Sequence, residues 1–158
     1  VLRGVDTKPL VGHLAAWNYY QSVEAPQNKQ FVANFKAYCK KNNLPDGDKR
    51  VTDDPIEAAY FGVHVWKQAV EKAGSTDVDA VRNAVYGQKF LAPGGEIMMD
   101  EANHHTHKPV LIGEIMKDGQ LKVVWRSKGL VKPEPWSEYT NPEKGCDWVK
   151  HQGTYKKG

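Results

Sequence analysis

The stretch Val11–Val32, VGHLAAWNYYQSVEAPQNKQFV, sets two grammars side by side. Val11 to Trp17 is a short apolar run with little alternation, the pattern of a buried strand. It breaks at Asn18, and Pro26 then suits a first helical turn, where its missing N–H would have had no partner. Beyond it Phe31, Val32, Phe35, Tyr38 and Cys39 recur at i, i+1, i+4, i+7 and i+8, one face of a helix. A strand thus hands over to an amphipathic helix.

Reading outward, KKNNLPDGDKR ends that helix with turn residues. In TDDPIEAAYFGVHVWKQAVEKAG, starting at Thr52, Asp54 is placed to cap a second helix. Pro55 takes its first position, and Glu57 completes a capping box. Ala58, Phe61, Val65, Ala69 and Ala73 form its apolar face and Gly74 stops it; His64 reads as an ordinary helix histidine. STDVDAVRNAVYG repeats the pattern in miniature, with Thr76 as cap, Asp79 reaching back, and Val78, Val81 and Val85 as the stripe. A Pro-Gly-Gly turn and a short strand around Ile97 and Met98 follow. Then Val110–Met116 and Leu121–Trp125 flank Asp118-Gly119 as a hairpin. From Lys132 on, prolines, glycines and the rings of Trp136, Tyr139, Trp148 and Tyr155 predict an extended tail that packs its rings across the body.

The chain's 158 residues suffice for one domain, with 40% hydrophobic and 26% charged residues, an ordinary globular balance. A net charge of +3, without clustering, does not predict nucleic-acid or membrane-surface binding. No apolar run approaches the length that spans a bilayer. Cys39 and Cys146 belong to no CxxC pattern and would pair only if the fold brought them together. The opening VLRGVDTKPL reads as mid-protein material, so the chain is expected to have been processed or to be part of something larger.

The histidines test the enzyme reading. His104, His105 and His107 stand together, but HHTH lacks the helical i, i+4 spacing of a zinc helix, and Pro109 follows closely. His105 and His107 could chelate as an HxH pair on a strand, with Asp100 and Glu101 adding oxygens. The stretch lies between a strand and a hairpin, where polar residues collect, so it is read as a polar turn without a metal. A histidine-ligated metal hydrolase is the outside alternative. GxSxG, P-loop and GxGxxG motifs are missing. Trp17, Tyr19 and Tyr20 sit where a strand ends and the chain turns, the usual place for ligand contacts in α/β folds, although each taken singly reads first as a core residue.

Taken in order, WNYYQSVEAPQNKQFV, DDPIEAAY, EKAGSTDVDAVRNAV, FLAPGG, NHHTHKPVLIGEI and PEPWSEY resemble one family across residues 10–139. This is the urea- and short-chain-amide-binding receptors of ABC transporters, within the branched-chain amino-acid type of periplasmic binding protein. The resemblance implies a type I periplasmic binding protein fold, two Rossmann-like α/β lobes joined by three crossovers, of which only the C-terminal portion is present. It implies residues 1–23 as a strand of the C-terminal lobe and a crossover, and 24–107 as N-terminal-lobe helices and a return linker. Residues 108–132 would be a C-terminal-lobe hairpin and 133–158 the tail.

Function follows by the same resemblance: a non-catalytic solute-binding component of an ABC importer, capturing urea or a short-chain amide between the lobes. No cofactor is implied. Trp17, Tyr19, Ile56 and Glu57 become the ligand-binding candidates. An amide's amino groups need acceptors such as a carboxylate, its carbonyl needs donors, and an aromatic wall excludes water. The implied partners are permease subunits and either the N-terminal portion of the same protein or a second copy. The implied location is the periplasm, or the outer surface of a membrane as an anchored lipoprotein. An amide-sensing regulator of the same fold is the runner-up.

Overall fold

The computed structural model describes residues 4–134. Among them three α-helices and six strands follow in chain order: β1 Leu14–Trp17, α1 Pro26–Lys41, α2 Asp54–Ala73, α3 Val78–Ala84, β2 Lys89–Ala92, β3 Gly95–Met99, β4 Thr106–His107, β5 Leu111–Ile115 and β6 Leu121–Arg126.

α2 forms the long wall of one body. Asp53, in extended conformation, caps it by accepting the Ile56 N–H at 3.0 Å. Gly74 ends it in the left-handed region at φ 63°, its N–H on the Val70 carbonyl. Glu57, Phe61, Val65 and Ala69, four residues apart, are its buried face. Phe61 and Val65 pack on Ala92 and Ile97, with Ala58, Val85, Phe90 and Met99 around them. Ala92 and Ile97 come from an antiparallel sheet ordered β2-β3-β4, so helix and sheet close one core.

The second sheet is ordered β1-β5-β6 and is antiparallel throughout. Its hairpin turns at Asp118-Gly119, where the Asp118 carboxylate accepts the Gln120 N–H and Gly119 has φ 77°. Tyr20, Val23 and Leu111 form its core with Ala25, Leu121 and Val123. The Tyr20 ring lies so close to Gly113 that a Cβ there would stand 2.9 Å from Cε2, which is why β5 carries a glycine. α1 bridges toward the helical body: its Phe31 ring is 4.8 Å from Tyr60 on α2 and 6.4 Å from Tyr19.

Several expectations need correction. β1 is not a buried strand: Leu14, 64% exposed, lies with Ala16 on an open face of the sheet, and Trp17, on the opposite face at the strand's end, is 48% exposed. The cap of α2 is Asp53 rather than Asp54, since Pro55 occupies the second helical position and not the first. Glu57 completes no capping box; its side chain points inward. In α3 the cap is Asp77, which accepts the Ala80 N–H, while Asp79 pairs with Arg82. The strand expected at Ile97 is half of a hairpin, β2 being its unforeseen partner across Pro93-Gly94. Phe31 and Cys39 are buried on α1 as expected, but Tyr38 is 62% exposed. The tail aromatics and Cys146 lie outside the described residues.

Candidate functional site

Where β1 ends, the chain turns from the antiparallel sheet toward α1, and a cavity of about 410 Å³ opens beside that turn. Trp17, Tyr19 and Tyr20 give it an aromatic wall; Thr52, Asp53 and Asp54 form the side at the start of α2. The β5–β6 turn, residues 117–121, closes the third side and brings Lys117 and Asp118.

The wall is held by a buried polar network. The Tyr19 hydroxyl donates to Asn28 Oδ1 at 2.8 Å and lies 2.8 Å from Thr52 Oγ1. Asn28 Nδ2 donates to the carbonyls of Gln21 and Val23, and Gln21 Oε1 accepts the Thr52 N–H at 3.0 Å. One asparagine near the start of α1 thus fixes the strand-to-helix passage and the loop before α2 together. Burial pushes the Tyr19 phenol up to about 12, with the charges of Glu57 and Asp53 adding to it and the Thr52 hydrogen bond opposing. Tyr19 is therefore a neutral donor at any physiological pH. Burial likewise raises Tyr20, whose hydroxyl donates to the Ala15 carbonyl at 2.6 Å.

Two of the four expected ligand residues, Trp17 and Tyr19, line this cavity together; Ile56 and Glu57 do not. The Ile56 N–H is spent on the Asp53 cap. Glu57 is 1% exposed, with Oε1 accepting the Gly94 N–H at 2.7 Å and Oε2 accepting from Lys108 Nζ at 2.9 Å. The same ammonium reaches Asp54 Oδ1 at 2.7 Å and lies 5.1 Å from the Phe61 ring centre. Sequence reading missed Asn28, Thr52 and Lys108. Asn28 carried a signal, being three residues before Phe31 and so on the same buried helix face.

The histidines do separate jobs. His107 Nε2 pairs with Asp100 Oδ2 at 2.8 Å, and Asp100 Oδ1 accepts the N–H groups of Ala102 and Asn103. His104, at φ 59°, stacks on Tyr86 with ring centres 4.2 Å apart, and the His105 ring lies against Asn103. Among the described residues no three His, Cys, Asp or Glu side chains converge as a metal group would require. No helix among them is long and apolar enough to cross a membrane.

Comparison with known proteins gives this geometry a context. The family model described as a periplasmic binding protein domain matches residues 1–142. The fold is similar to a solute-binding protein of an ABC transporter from Rhodopseudomonas palustris HaA2 in complex with p-hydroxybenzoic acid. The identity is 27% and the TM-score 0.64, over 78% of this chain and 33% of that one. An amino-acid ABC transporter substrate-binding protein from Pseudomonas fluorescens Pf-5 shares the fold at 21% identity and TM-score 0.66, over 84% of this chain and 35% of that one. A protein named limonene hydroxylase from Geobacillus stearothermophilus is 31% identical over 131 residues, 83% of this chain and 23% of the relative. The chain thus spans about a third of the length of these solved structures and less of the hydroxylase. With a family model covering nearly its whole length and an α/β architecture that matches type I folds, the chain belongs to the periplasmic binding protein domain family.

Proposed function

We propose that this protein is a non-catalytic solute-binding component of an ABC importer, working with permease subunits in the periplasm or as a membrane-anchored lipoprotein. Its ligand is urea or a short-chain amide, held against Trp17 and Tyr19. The observation that carries this reading is the cavity's pairing of aromatic walls with carboxylates, Asp53 and Asp54 at the start of α2 and Asp118 across from them. A planar amide stacks on rings and donates its N–H groups to carboxylate oxygens. Asp53 uses Oδ1 for its cap, which leaves Oδ2 for a ligand donor.

The likeness to the p-hydroxybenzoate complex favours a second reading, an aromatic carboxylate. Against it stands the charge of the lining: with Asp54 paired to Lys108, Asp53 and Asp118 still outnumber the lining cation Lys117 and would repel an anion. The 31% relative named as a hydroxylase overlaps this chain over 23% of its own length, whereas the binding-domain family spans residues 1–142, which supports binding over catalysis.

The expected domain plan is part of the same proposal: residues 1–23 and 108–132 contribute to one lobe and 24–107 to the other, while the expected tail lies almost wholly outside the described residues. The separate sheets and cores support it. So does the bare sheet face of Leu14, Ala16 and Trp125, which the N-terminal portion of the protein or a second copy would cover.

Calorimetric titration with urea, acetamide and 4-hydroxybenzoate tests the ligand. Saturable binding of urea or acetamide is expected, weakened about tenfold in Asp53→Asn, which keeps the helix cap but loses the charge. Binding of 4-hydroxybenzoate with no heat from either amide would establish the second reading instead.

A further inference from the structure

The chain passes between its two sheets out of β1 through Tyr19 and from β4 to β5 through Lys108, and a third passage leaves β6 at Arg126. After the third passage Val131 returns to pair with Lys108, so the last two run side by side. One carboxylate bonds the second directly and meets the other two through Gly94. Glu57 Oε2 holds the Lys108 ammonium, while Oε1 holds the Gly94 N–H. The Gly94 carbonyl in turn accepts from Arg126 Nη2 at 3.1 Å. The α-carbon of Gly94 faces the Tyr19 ring, so closely that a Cβ would be 3.2 Å from Cδ2.

We propose that Glu57, acting through Gly94, is a positioning residue that fixes the angle between the two sheets by gripping all three passages at once. This goes beyond the ligand reading and needs no ligand to hold. α2 and the 93–94 turn belong to one body, while Lys108 and Arg126 reach them from the passages toward the other. Domain hinges are a few element-terminal residues that absorb backbone change, and a contact bridging all of them restricts that change. Buried ion pairs contribute little net stability, but their best-attested role is to fix a unique arrangement. With Lys108 side-chain exposure at 11% and Glu57 at 1%, the pair has the burial that role requires. Both bonds of Glu57 are short and charge-assisted, hence directional.

Electron-electron distance measurements decide it, with spin labels on Lys122→Cys of β6 and Lys67→Cys of α2 in a Cys39→Ala, Cys146→Ser background. A control pair on Lys67→Cys and Leu91→Cys lies within one body. Glu57→Gln with Lys108→Met removes the grip on the second passage, retains an acceptor for Gly94 and leaves no unpaired charge at position 57. Arg126→Met, at an exposed strand end, releases the third passage alone. Each variant is expected to broaden the between-sheet distribution about twofold while the within-body distribution keeps its width. Unchanged between-sheet widths in both variants would overturn the proposal. So would equal broadening of both label pairs, which marks general loosening. If the double variant fails to fold, Arg126→Met decides by the same two criteria.

Discussion

Replacing Gly94 by alanine tests the packing around Glu57 directly. The new Cβ would stand 2.8 Å from Glu57 Oε1 and 3.2 Å from Tyr19 Cδ2. Neither neighbour has room to retreat. Glu57 Oε1 accepts the N–H of the substituted residue itself and Oε2 is on Lys108, while the Tyr19 ring is anchored through its hydroxyl to Asn28 and Thr52. Relief therefore requires an overpacked core, at about 1–3 kcal/mol, or a stretched bond to a charged acceptor, of about 1.5–3 kcal/mol. The stiffer unfolded chain returns about 0.4–1 kcal/mol. The net expectation is a loss of about 1.5 kcal/mol, which at about 3 °C per kcal/mol lowers Tm by about 4–5 °C. Gly62→Ala is the matched control: this glycine lies inside α2 and a Cβ on it would meet nothing within 4 Å. It should gain about 0.5–1 kcal/mol from helix propensity, so the two substitutions have opposite signs. Scanning calorimetry of both reads the result. A Gly94→Ala melting temperature within about 2 °C of the parent would show that the Glu57–Tyr19 contact yields easily, and the reasoning would fail.

Asp53→Ala should cost about 1 kcal/mol through loss of the α2 cap, with Asp53→Asn near neutral, both read from thermal melts. Tyr19→Phe leaves Asn28 and Thr52 short of a buried partner and should cost about 1–2 kcal/mol. Because the phenol is raised to about 12, the stability it contributes is complete below pH 10 and declines as pH rises from 10 to about 12. The phenylalanine variant should flatten that part of the alkaline melting profile. The Asp100 carboxyl lies below its ordinary value of 3.8, held there first by the Ala102 N–H and then by His107. Its contribution is therefore complete above pH 3.8 and declines as pH falls through the lowered value. Melting curves of Asp100→Asn and parent should converge on acidification below that point; a constant gap would remove Asp100 from the account.

The two long helices were legible because their evidence is local. Phe31 and Cys39, and Phe61, Val65 and Ala69, recur at helical spacing, and Gly74 marks a stop that only backbone freedom requires. The hairpin at Asp118-Gly119 was legible for the same reason. Strand β1 was misjudged because an apolar run reports what the residues would bury, not what is there to cover them. Two adjacent aspartates gave the cap of α2 no unique reading. A proline at the first helical position makes Asp54 the cap and one at the second makes it Asp53, and one shift of register separates them.

At the site, legibility followed distance along the chain. Trp17 and Tyr19, singled out for sitting where a strand gives way to a passage, line one cavity in the fold. Glu57 was assigned a capping bond because its neighbours in sequence offered one. Its actual partners, Gly94 and Lys108, are 37 and 51 residues away, and no pattern over a few residues encodes such a meeting. The physical clue was present in another form. A glutamate one helical turn before Phe61 falls on the buried stripe of α2, where a charge without a partner would be prohibitive. A cation and a backbone donor therefore had to arrive from elsewhere. Lys108, beside the helix-disfavouring Pro109 and just past the histidine turn, is the cation that arrives. The requirement for a partner could be read in the sequence, while the identity of the partner had to come from the fold.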